Sequence, residues 1–229
     1  MRPRITISKE NYLKAIAEAE SEGETVKPIT LARWLRVSAP AVTMAIRRLK
    51  RDRLIRQGPE GQLTLTAPGR EIANRLLNRH HLIERMLTEI FGLEWYKVHD
   101  EAEQLEHAVS ADFEGRLVEK LGSGNACPHG NMVGMDSPRE RRQRGLKPLD
   151  EAHVQEFLVV ASVFERDRDL LEFLDRAGIR PGVQMEVLGI SAEVDLRVDH
   201  RRVHLERGVA SRIWVKRAPE QTPPLDCRS

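Results

Sequence analysis

Histidines and carboxylates recur at helical spacing in the middle of the sequence. His80 and Glu84 are four residues apart, so on a helix both side chains would lie on the same face. Four further residues, at positions i, i+4, i+7 and i+8, share one face of a second predicted helix: His99, Glu103, Glu106 and His107. Packed together, the two helices would gather three histidines and three carboxylates. Such mixed ligands suit divalent ions such as Mn²⁺ and Fe²⁺, whereas a thiolate-rich set favours zinc or copper(I).

A helix-turn-helix precedes these metal-ligand candidates. The apolar spacing predicts a first helix over residues 8–22, capped by Ser8. Thr30 is predicted to cap a short helix, Leu31–Arg36, and Ser38 is predicted to cap the helix that follows it. Two short helices joined by a tight turn, the second rich in cations, are typical of a DNA-binding helix-turn-helix.

A wing and two long helices follow the helix-turn-helix. Residues 57–61 form a turn cluster and residues 62–66 alternate polar and apolar side chains, which predicts a small β-hairpin. The helical period then returns, and it predicts one helix from Arg70 to about Phe91 and another from about Tyr96 to Leu121. These two helices carry the histidines and carboxylates.

Charge is distributed unevenly along the chain. Residues 31–56 hold eight Lys and Arg and one acidic residue, a local net charge of +7 in a chain whose total is +2. Residues 84–119 are instead dominated by acids and histidines. This favours one part that meets a polyanion and another that meets a cation, although solvated helix faces would give the same pattern. The metal interpretation is favoured because both ligand sets lie on consecutive helices, where buried carboxylates would need a cation.

The last third of the sequence is predicted to be mainly β. Residues 122–150 are rich in Gly, Pro, Asn and Arg and indicate a loop and then a connector. Strands are predicted beyond it, with one short helix, Asp169–Ala177, and together they fit a small closed β-barrel. The predicted strands cover residues 154–164, 183–190, 194–198, 202–205 and 212–215.

Length and composition exclude several classes of protein. A chain of 229 residues fits two domains and a connector, and 40% apolar with 31% charged residues is typical of soluble globular proteins. No apolar run approaches the roughly 20 residues of a membrane span. Two cysteines exclude a disulfide framework, and no secretory signal is visible, so we expect a cytoplasmic protein.

Five short segments, taken in order, resemble the diphtheria toxin repressor family, which includes the manganese transport regulators. The resemblance extends from residue 8 to about residue 217. The segments are His80–Arg85, Gly92–Leu93, Lys97–Ala102, Glu106–His107 and Cys127–Asn131.

The resemblance implies a mainly α fold with a small β part. It places a winged helix-turn-helix in residues 1–68 and a helical metal-binding and dimerisation domain in residues 69–135. A linker over 136–152, an SH3-like (FeoA-type) β-barrel over 153–218 and a flexible tail over 219–229 would complete the chain.

The resemblance also implies two metal sites per subunit, filled by Mn²⁺ or Fe²⁺. His80, Glu84 and His99 would form the first, to which the barrel adds an acidic side chain; the candidates Glu165, Asp167 and Asp169 stay open. The second would use Asn11, Glu103, Glu106 and His107. Cys127 is either a further ligand, as in some long members of the family, or a packing residue; Cys227, in the polar tail, is given no role.

Four positions depart from the family pattern. Glu103 stands where the iron-responsive branch carries cysteine, and a carboxylate there favours manganese. Asn11 and Lys14 stand where the short manganese regulators carry carboxylates, and a charged ammonium cannot ligate a metal. Met44 replaces a glutamine of the toxin repressor, so we expect a different base preference.

The recognition helix supplies two kinds of predicted DNA contact. Base edges and sugars in the major groove would be met by Ser38, Ala39, Pro40 and Thr43. Phosphates would be met by Arg47, Arg48, Lys50 and Arg51, although these cations could simply keep the surface soluble.

These observations predict a homodimeric, metal-activated transcriptional repressor that binds a palindromic double-stranded DNA operator and no membrane. The resemblance implies that its targets are metal-uptake genes. Two alternatives remain: a winged-helix protein whose metal is purely structural, and a metal-dependent hydrolase. The hydrolase is disfavoured because the sequence has no nucleophile motif or nucleotide-binding loop.

Overall fold

The computed structural model describes residues 6–122, 126–134 and 136–219. The chain divides into two compact units, residues 1–144 and residues 145–229. Parts of the predicted loop after residue 122, and residues 220–229 of the predicted tail with Cys227, lie outside the described residues.

Three helices and a hairpin form the start of the first unit, as the sequence predicts. Their apolar faces share one core, in which Leu13, Ile16, Leu31, Val42 and Leu49 are buried. The elements are α1 (Ile7–Ser21), α2 (Pro28–Leu35), α3 (Ala39–Arg51), β1 (Ile55–Gln57) and β2 (Leu63–Leu65).

The helix caps correct two predictions and confirm one. Thr6 caps α1 in place of Ser8, because its side chain accepts the Lys9 N–H. Helix α2 begins at Pro28 rather than after Thr30, whose hydroxyl accepts the Lys27 N–H from inside the helix. Ser38 caps α3 as predicted, accepting the Ala41 N–H.

Helix α4 (Ala67–Arg85) continues through a π-helical turn, Met86–Ile90, and the chain leaves it at Gly92 with a φ of +68°. It begins three residues earlier than predicted because Thr66 accepts the Gly69 N–H. A Cβ at Gly69 would lie 2.0 Å from the Leu54 carbonyl oxygen, so only glycine lets α4 start this close to the wing.

The single helix predicted over residues 96–121 is wrong. Two helices, α5 (Val98–Leu105) and α6 (Ala111–Leu121), are separated by residues 106–110. The chain restarts at Ser110, whose hydroxyl accepts the Phe113 N–H, and this cap offers the backbone an alternative to a continuous helix. The break decides where Glu106 and His107 lie.

The predicted loop and connector also contain a helix, α7 (Pro138–Gln143). Ser137 and Glu140 form a capping box at its start. Arg141 is buried and reaches Glu22, at the end of α1, at 3.2 Å. The Pro- and Arg-rich composition that predicts a connector therefore conceals an ordered helix packed on the first unit.

The second unit is an antiparallel six-stranded sheet with strand order β3-β8-β4-β5-β6-β7. Alternate residues of its strands face the core, such as Leu158, Val160, Val194 and Leu196. Along the chain, two helices each connect one strand to the next: α8 (Arg168–Arg176) and α9 (Arg207–Ala210). The strands are β3 (Lys147–Pro148), β4 (Phe157–Val163), β5 (Gln184–Ile190), β6 (Glu193–Val198), β7 (Arg201–Glu206) and β8 (Ile213–Arg217). Among the described residues, no helix has the length and apolar character needed to cross a bilayer.

Candidate metal centre

Helices α4 and α5 bring His80, Glu84 and His99 together in the interior of the first unit. His80 and Glu84 lie one turn apart on α4, and His99 lies in the first turn of α5; all three are buried. His80 Nε2 is 3.0 Å from Glu84 Oε1 and 3.0 Å from His99 Nδ1. His99 Nδ1 is 3.1 Å from the same carboxylate oxygen, which closes a triangle of ligand atoms.

The triangle fits a divalent ion. Adjacent ligand atoms of an octahedral ion with bonds of about 2.1 Å lie about 3 Å apart, which matches the spacing of the three atoms. The second oxygen of Glu84, Oε2, is buried and accepts no hydrogen bond from the described residues. No lysine or arginine in the described part of the chain pairs with Glu84. A cation bound here would offset the cost of removing the carboxylate from water.

The surrounding imidazoles keep Glu84 ionised. Burial alone would raise the pKa of Glu84, but His80 and His129 outweigh it and hold that pKa well below its usual value. The carboxylate is therefore in the charged form that binds metal.

The loop after residue 125 adds a thiol and a third imidazole to the same carboxylate. His129 Nε2 lies 2.9 Å from the Trp95 carbonyl oxygen, which can only accept, so Nε2 carries the proton. The other ring nitrogen, Nδ1, lies 3.5 Å from Glu84 Oε1 and 3.8 Å from the Cys127 sulfur. A metal ion would therefore bind His129 through Nδ1.

We call His80, Glu84, His99, Cys127 and His129 the histidine cluster. His81 also approaches it, since its ligand atom lies within 4.8 Å of those of Glu84 and Cys127. Neither His81 nor His129 is among the ligands predicted from the sequence. The signals were present: His81 adjoins a predicted ligand, and His129 stands two residues after Cys127 in a turn containing Pro and Gly.

A second polar cluster lies on the Nδ1 side of His80, where α1 contacts α4 and the end of α5. Lys14 Nζ is 2.7 Å from Glu106 Oε2, and both side chains are almost completely buried. His80 Nδ1 is 2.7 Å from the same oxygen and donates to it, because a carboxylate can only accept. The other ring nitrogen of His80, Nε2, faces Glu84 at 3.0 Å.

The Lys14 ion pair is charged at both ends. Burial alone would lower the pKa of Lys14, but Glu18 and Glu106 raise that pKa above its usual value. Burial would raise the pKa of Glu106, whereas the hydrogen bonds and charges of His80 and Lys14 lower it. Each partner thus keeps the other ionised.

The predicted second metal site does not assemble as expected. His107 Nε2 donates to Asn11 Oδ1 at 2.6 Å, and Glu103 is 40% exposed with its carboxylate 3.6 Å from His99 Nε2. Within the described residues, Glu103, Glu106 and His107 do not form a group with all ligand atoms within 4.8 Å. We call Asn11, Lys14, Glu106 and His107 the lysine cluster.

The three acidic candidates of the second unit differ in their local contacts. Asp167 caps α8 by accepting the Leu170 N–H and pairs with Arg212 at 2.7 Å. Asp169 is exposed in the first turn of α8, whereas Glu165 is buried in the segment before that helix.

The predicted DNA contacts lie on the exposed side of α3. Thr43 bonds back to the Ala39 carbonyl at 3.0 Å, and Met44 is 48% exposed beside it. Lys50 bonds to Gln57 of the wing at 3.0 Å, and Arg51 contacts Asp52 at 3.3 Å. The remaining predicted contacts are also exposed: Ser38, Ala39, Pro40, Arg47 and Arg48.

Sequence profiles of three protein domains match the chain in succession. "Iron dependent repressor, N-terminal DNA binding domain" matches residues 4–63, and "Iron dependent repressor, metal binding and dimerisation domain" matches residues 66–133. "FeoA domain" matches residues 147–217. The diphtheria toxin repressor of Corynebacterium efficiens is 32% identical over 218 residues, which are 91% of this chain and 94% of that protein. The chain belongs to the diphtheria toxin repressor family.

Solved structures of the family share the whole fold. A manganese-dependent transcriptional repressor in complex with manganese superposes with a TM-score of 0.81 at 30% identity, over 92% of this chain and all of that one. The manganese-activated repressor ScaR with bound Zn²⁺ gives a TM-score of 0.77 at 30% identity, over 92% of this chain and 99% of that one. These relatives are metal-dependent transcriptional repressors. Membership in the family confirms the predicted fold class. It also confirms the prediction that the protein is a transcriptional regulator and not an enzyme.

Proposed function

We propose that this member of the diphtheria toxin repressor family represses metal-uptake genes when Mn²⁺, or alternatively Fe²⁺, fills the histidine cluster. The observation that carries the proposal is Glu84, a buried carboxylate surrounded by imidazoles with no lysine or arginine paired with it in the described residues. A divalent ion bound to this carboxylate would offset the cost of removing it from water.

We propose two ions per subunit that share Glu84. His80, Glu84 and His99 would hold one ion, and Glu84, Cys127 and His129 would hold the other. A divalent ion supplies the positive charge that these groups lack. The barrel ligand stays a prediction among Glu165, Asp167 and Asp169; within the second unit, Asp167 is engaged with Leu170 and Arg212, and Asp169 lies on a solvent-exposed helix turn.

The choice of metal follows from the ligand types. Imidazole and carboxylate ligands accept Mn²⁺ and Fe²⁺, while the single thiol of Cys127 adds affinity for softer ions such as Zn²⁺. The relatives whose structures were solved with manganese and with zinc are consistent with such a mixed ligand set.

Metal and DNA binding are coupled through α1 in this proposal. Helix α1 packs along α4, which carries His80 and Glu84. It also packs on α2 and α3 of the helix-turn-helix. Drawing α4, α5 and the Cys127 loop together would therefore favour one orientation of α3. Metal and DNA then raise each other's affinity by the same factor.

We propose that a homodimer reads a palindromic operator. The exposed face of α3 would read bases through Ser38, Ala39, Pro40 and Thr43, with its arginines and Lys50 on phosphates. The dimer surface would use apolar side chains exposed on the second half of the first unit: Phe91, Leu105, Phe113 and Val118. The Phe91 side chain is 65% exposed, and leaving so large an apolar group in water is unfavourable for an isolated subunit.

A metal-dependent binding assay tests the proposal. Operator fragments selected from random DNA would be titrated with the full chain in Mn²⁺, Fe²⁺, Co²⁺, Zn²⁺ or chelator, with fluorescence anisotropy as the readout. We expect reversible affinity that requires metal and is lost in Glu84→Gln. Equal affinity with and without metal, or unfolding on chelation, would favour a structural metal and contradict regulation.

A further inference from the structure

We infer that the Lys14 ammonium occupies the position that a metal ion would otherwise take between α1 and the end of α5. No ion then binds among Asn11, Glu103, Glu106 and His107. This inference rests on the proposed function only in that the chain must bind divalent ions elsewhere. It assigns Lys14 as a residue that determines how many ions a subunit holds.

Lys14 makes the contacts expected of a buried cation. It is only 3% exposed, and its ammonium lies 2.7 Å from Glu106 and 3.8 Å from Glu18. The ammonium lies 2.9 Å from His80 Nδ1, and both nitrogens donate to the same Glu106 oxygen. A lysine is almost never this buried without carboxylates around it, and here they surround it.

A metal ion and this ammonium cannot share Glu106. An ion bound to Oε2 would sit about 2.1 Å from the oxygen that Lys14 already contacts. Two positive charges would then lie a few ångströms apart in the interior, where their repulsion is weakly screened. The second oxygen of Glu106, Oε1, is the one that faces His107, at 3.5 Å from Nε2.

His107 is turned away from metal binding in this arrangement. Its Nε2 donates to Asn11 Oδ1 at 2.6 Å, so that nitrogen carries a proton and has no lone pair for a metal. Its Nδ1 faces Glu10 at 3.2 Å. Asn11 lies on α1, so its hydrogen bond with His107 fastens α1 to the segment after α5 without an ion.

The lysine cluster therefore connects the two halves of the first unit permanently. Lys14 lies within the segment matched by the DNA-binding profile, and Glu106 lies within the segment matched by the metal-binding profile. A covalently attached cation holds this junction at every metal concentration. Of these two clusters, the histidine cluster is the one left to respond to metal.

The test is the number of Mn²⁺ ions bound per subunit, measured by equilibrium dialysis with elemental analysis on the full chain. The wild-type number is called n here. We expect His107→Ala to leave n unchanged. Lys14→Glu and Lys14→Met should each bind n + 1 ions, the Glu variant more tightly, and adding His107→Ala to either should return the count to n.

Lys14→Arg is the matched control, because it keeps the positive charge and should also bind n ions. Circular dichroism checks that each variant is folded. A drop to n − 1 in His107→Ala would show that an ion already occupies this position and would overturn the inference. So would n ions in folded Lys14→Glu and Lys14→Met; if neither folds, the His107→Ala result decides.

Failure of the proposed function has a different signature. If the chain is not a metal-responsive regulator, wild-type protein binds no Mn²⁺ or binds DNA equally well without it. The inference about Lys14 fails only through the change in ion number caused by substitutions at positions 14 and 107.

Discussion

The histidine cluster and the lysine cluster present the same physical problem with two solutions. Each buries a glutamate that stays ionised: Glu84 in the first and Glu106 in the second. Glu106 has a lysine of the same chain at 2.7 Å. Among the described residues of the first unit, Glu84 has imidazoles and a thiol nearby, all of which are metal ligands when deprotonated.

The difference separates structure from sensing. A cation attached to the chain stabilises the fold at any metal concentration, so the lysine cluster can hold a junction but cannot report on metal. A cluster that lacks a fixed cation gains its charge from solution and can therefore respond to concentration. His80 belongs to both, since Nδ1 donates to Glu106 while Nε2 faces Glu84.

The largest effect is expected from Glu84→Gln. The amide has the same shape without the charge, so Mn²⁺ affinity should fall by more than about 100-fold, beyond the usual effect of residues outside the ligand shell. The metal-free protein should remain folded, because an uncompensated buried charge has been removed. Isothermal titration calorimetry and urea unfolding measure the two quantities. Unchanged Mn²⁺ affinity would contradict the role of the histidine cluster.

Lys14→Met should have the opposite signature, a loss of stability without metal. Leaving Glu106 buried without its lysine is expected to lower the free energy of unfolding by about 3 kcal/mol, measured in urea with chelator present. The control is the double variant Lys14→Met/Glu106→Met, which should recover most of the loss because neither charge remains. If the single variant is as stable as wild type, the ion pair does not fasten α1.

Cys127→Ser distinguishes a ligand from a packing residue. A soft thiolate favours Zn²⁺ over Mn²⁺, so its loss should weaken Zn²⁺ binding by about tenfold more than Mn²⁺ binding. Competition with a colorimetric chelator gives both affinities. Cys127→Ala serves as the comparison, and an equal, small effect on the two metals in both variants would leave Cys127 with a packing role.

The smallest effect is expected at a lysine–glutamate pair near the surface, Lys147 and Glu156, whose Nζ and Oε2 atoms lie 2.5 Å apart. Both side chains retain solvent contact, so Lys147→Met should cost less than about 1 kcal/mol of unfolding free energy. Comparing the two substitutions shows how much of the stability loss in Lys14→Met comes from burial of the ion pair. A cost equal to that of Lys14→Met would remove burial as the explanation.

The same surface pair carries a pH dependence of defined sign. Burial would raise the pKa of Glu156, but Lys147 and the His153 N–H lower it below the reference value of 4.5. The carboxylate therefore adds stability above about pH 4.5, and this is lost as the pH falls through the lowered pKa. Thermal unfolding of wild type and Glu156→Gln between pH 3 and 6 should converge at the acid end.

Several elements were predictable because their signals are local. The Ser38 cap, the wing hairpin and five of the six strands of the second unit each follow from residues next to one another, whereas β3 lies in the predicted connector. The break between α5 and α6 was missed because the apolar spacing continues through it, while one hydroxyl, Ser110, restarts the helix. Helix α7 was missed because its composition is that of a linker, and burial of Arg141 depends on the distant residue Glu22.

The sequence by itself determined the winged helix-turn-helix, the placement of His80 and Glu84 on one helix face, and the types of ligand available. Periodicity and residue chemistry are properties of short segments, so no tertiary information was needed. Only the tertiary structure decided which carboxylate received a cation from the chain. Lys14 and Glu106 are 92 residues apart in sequence, and nothing local indicates that they meet. The packing of α1 against α4 and the end of α5 made one glutamate part of a fixed ion pair and left the other for a metal.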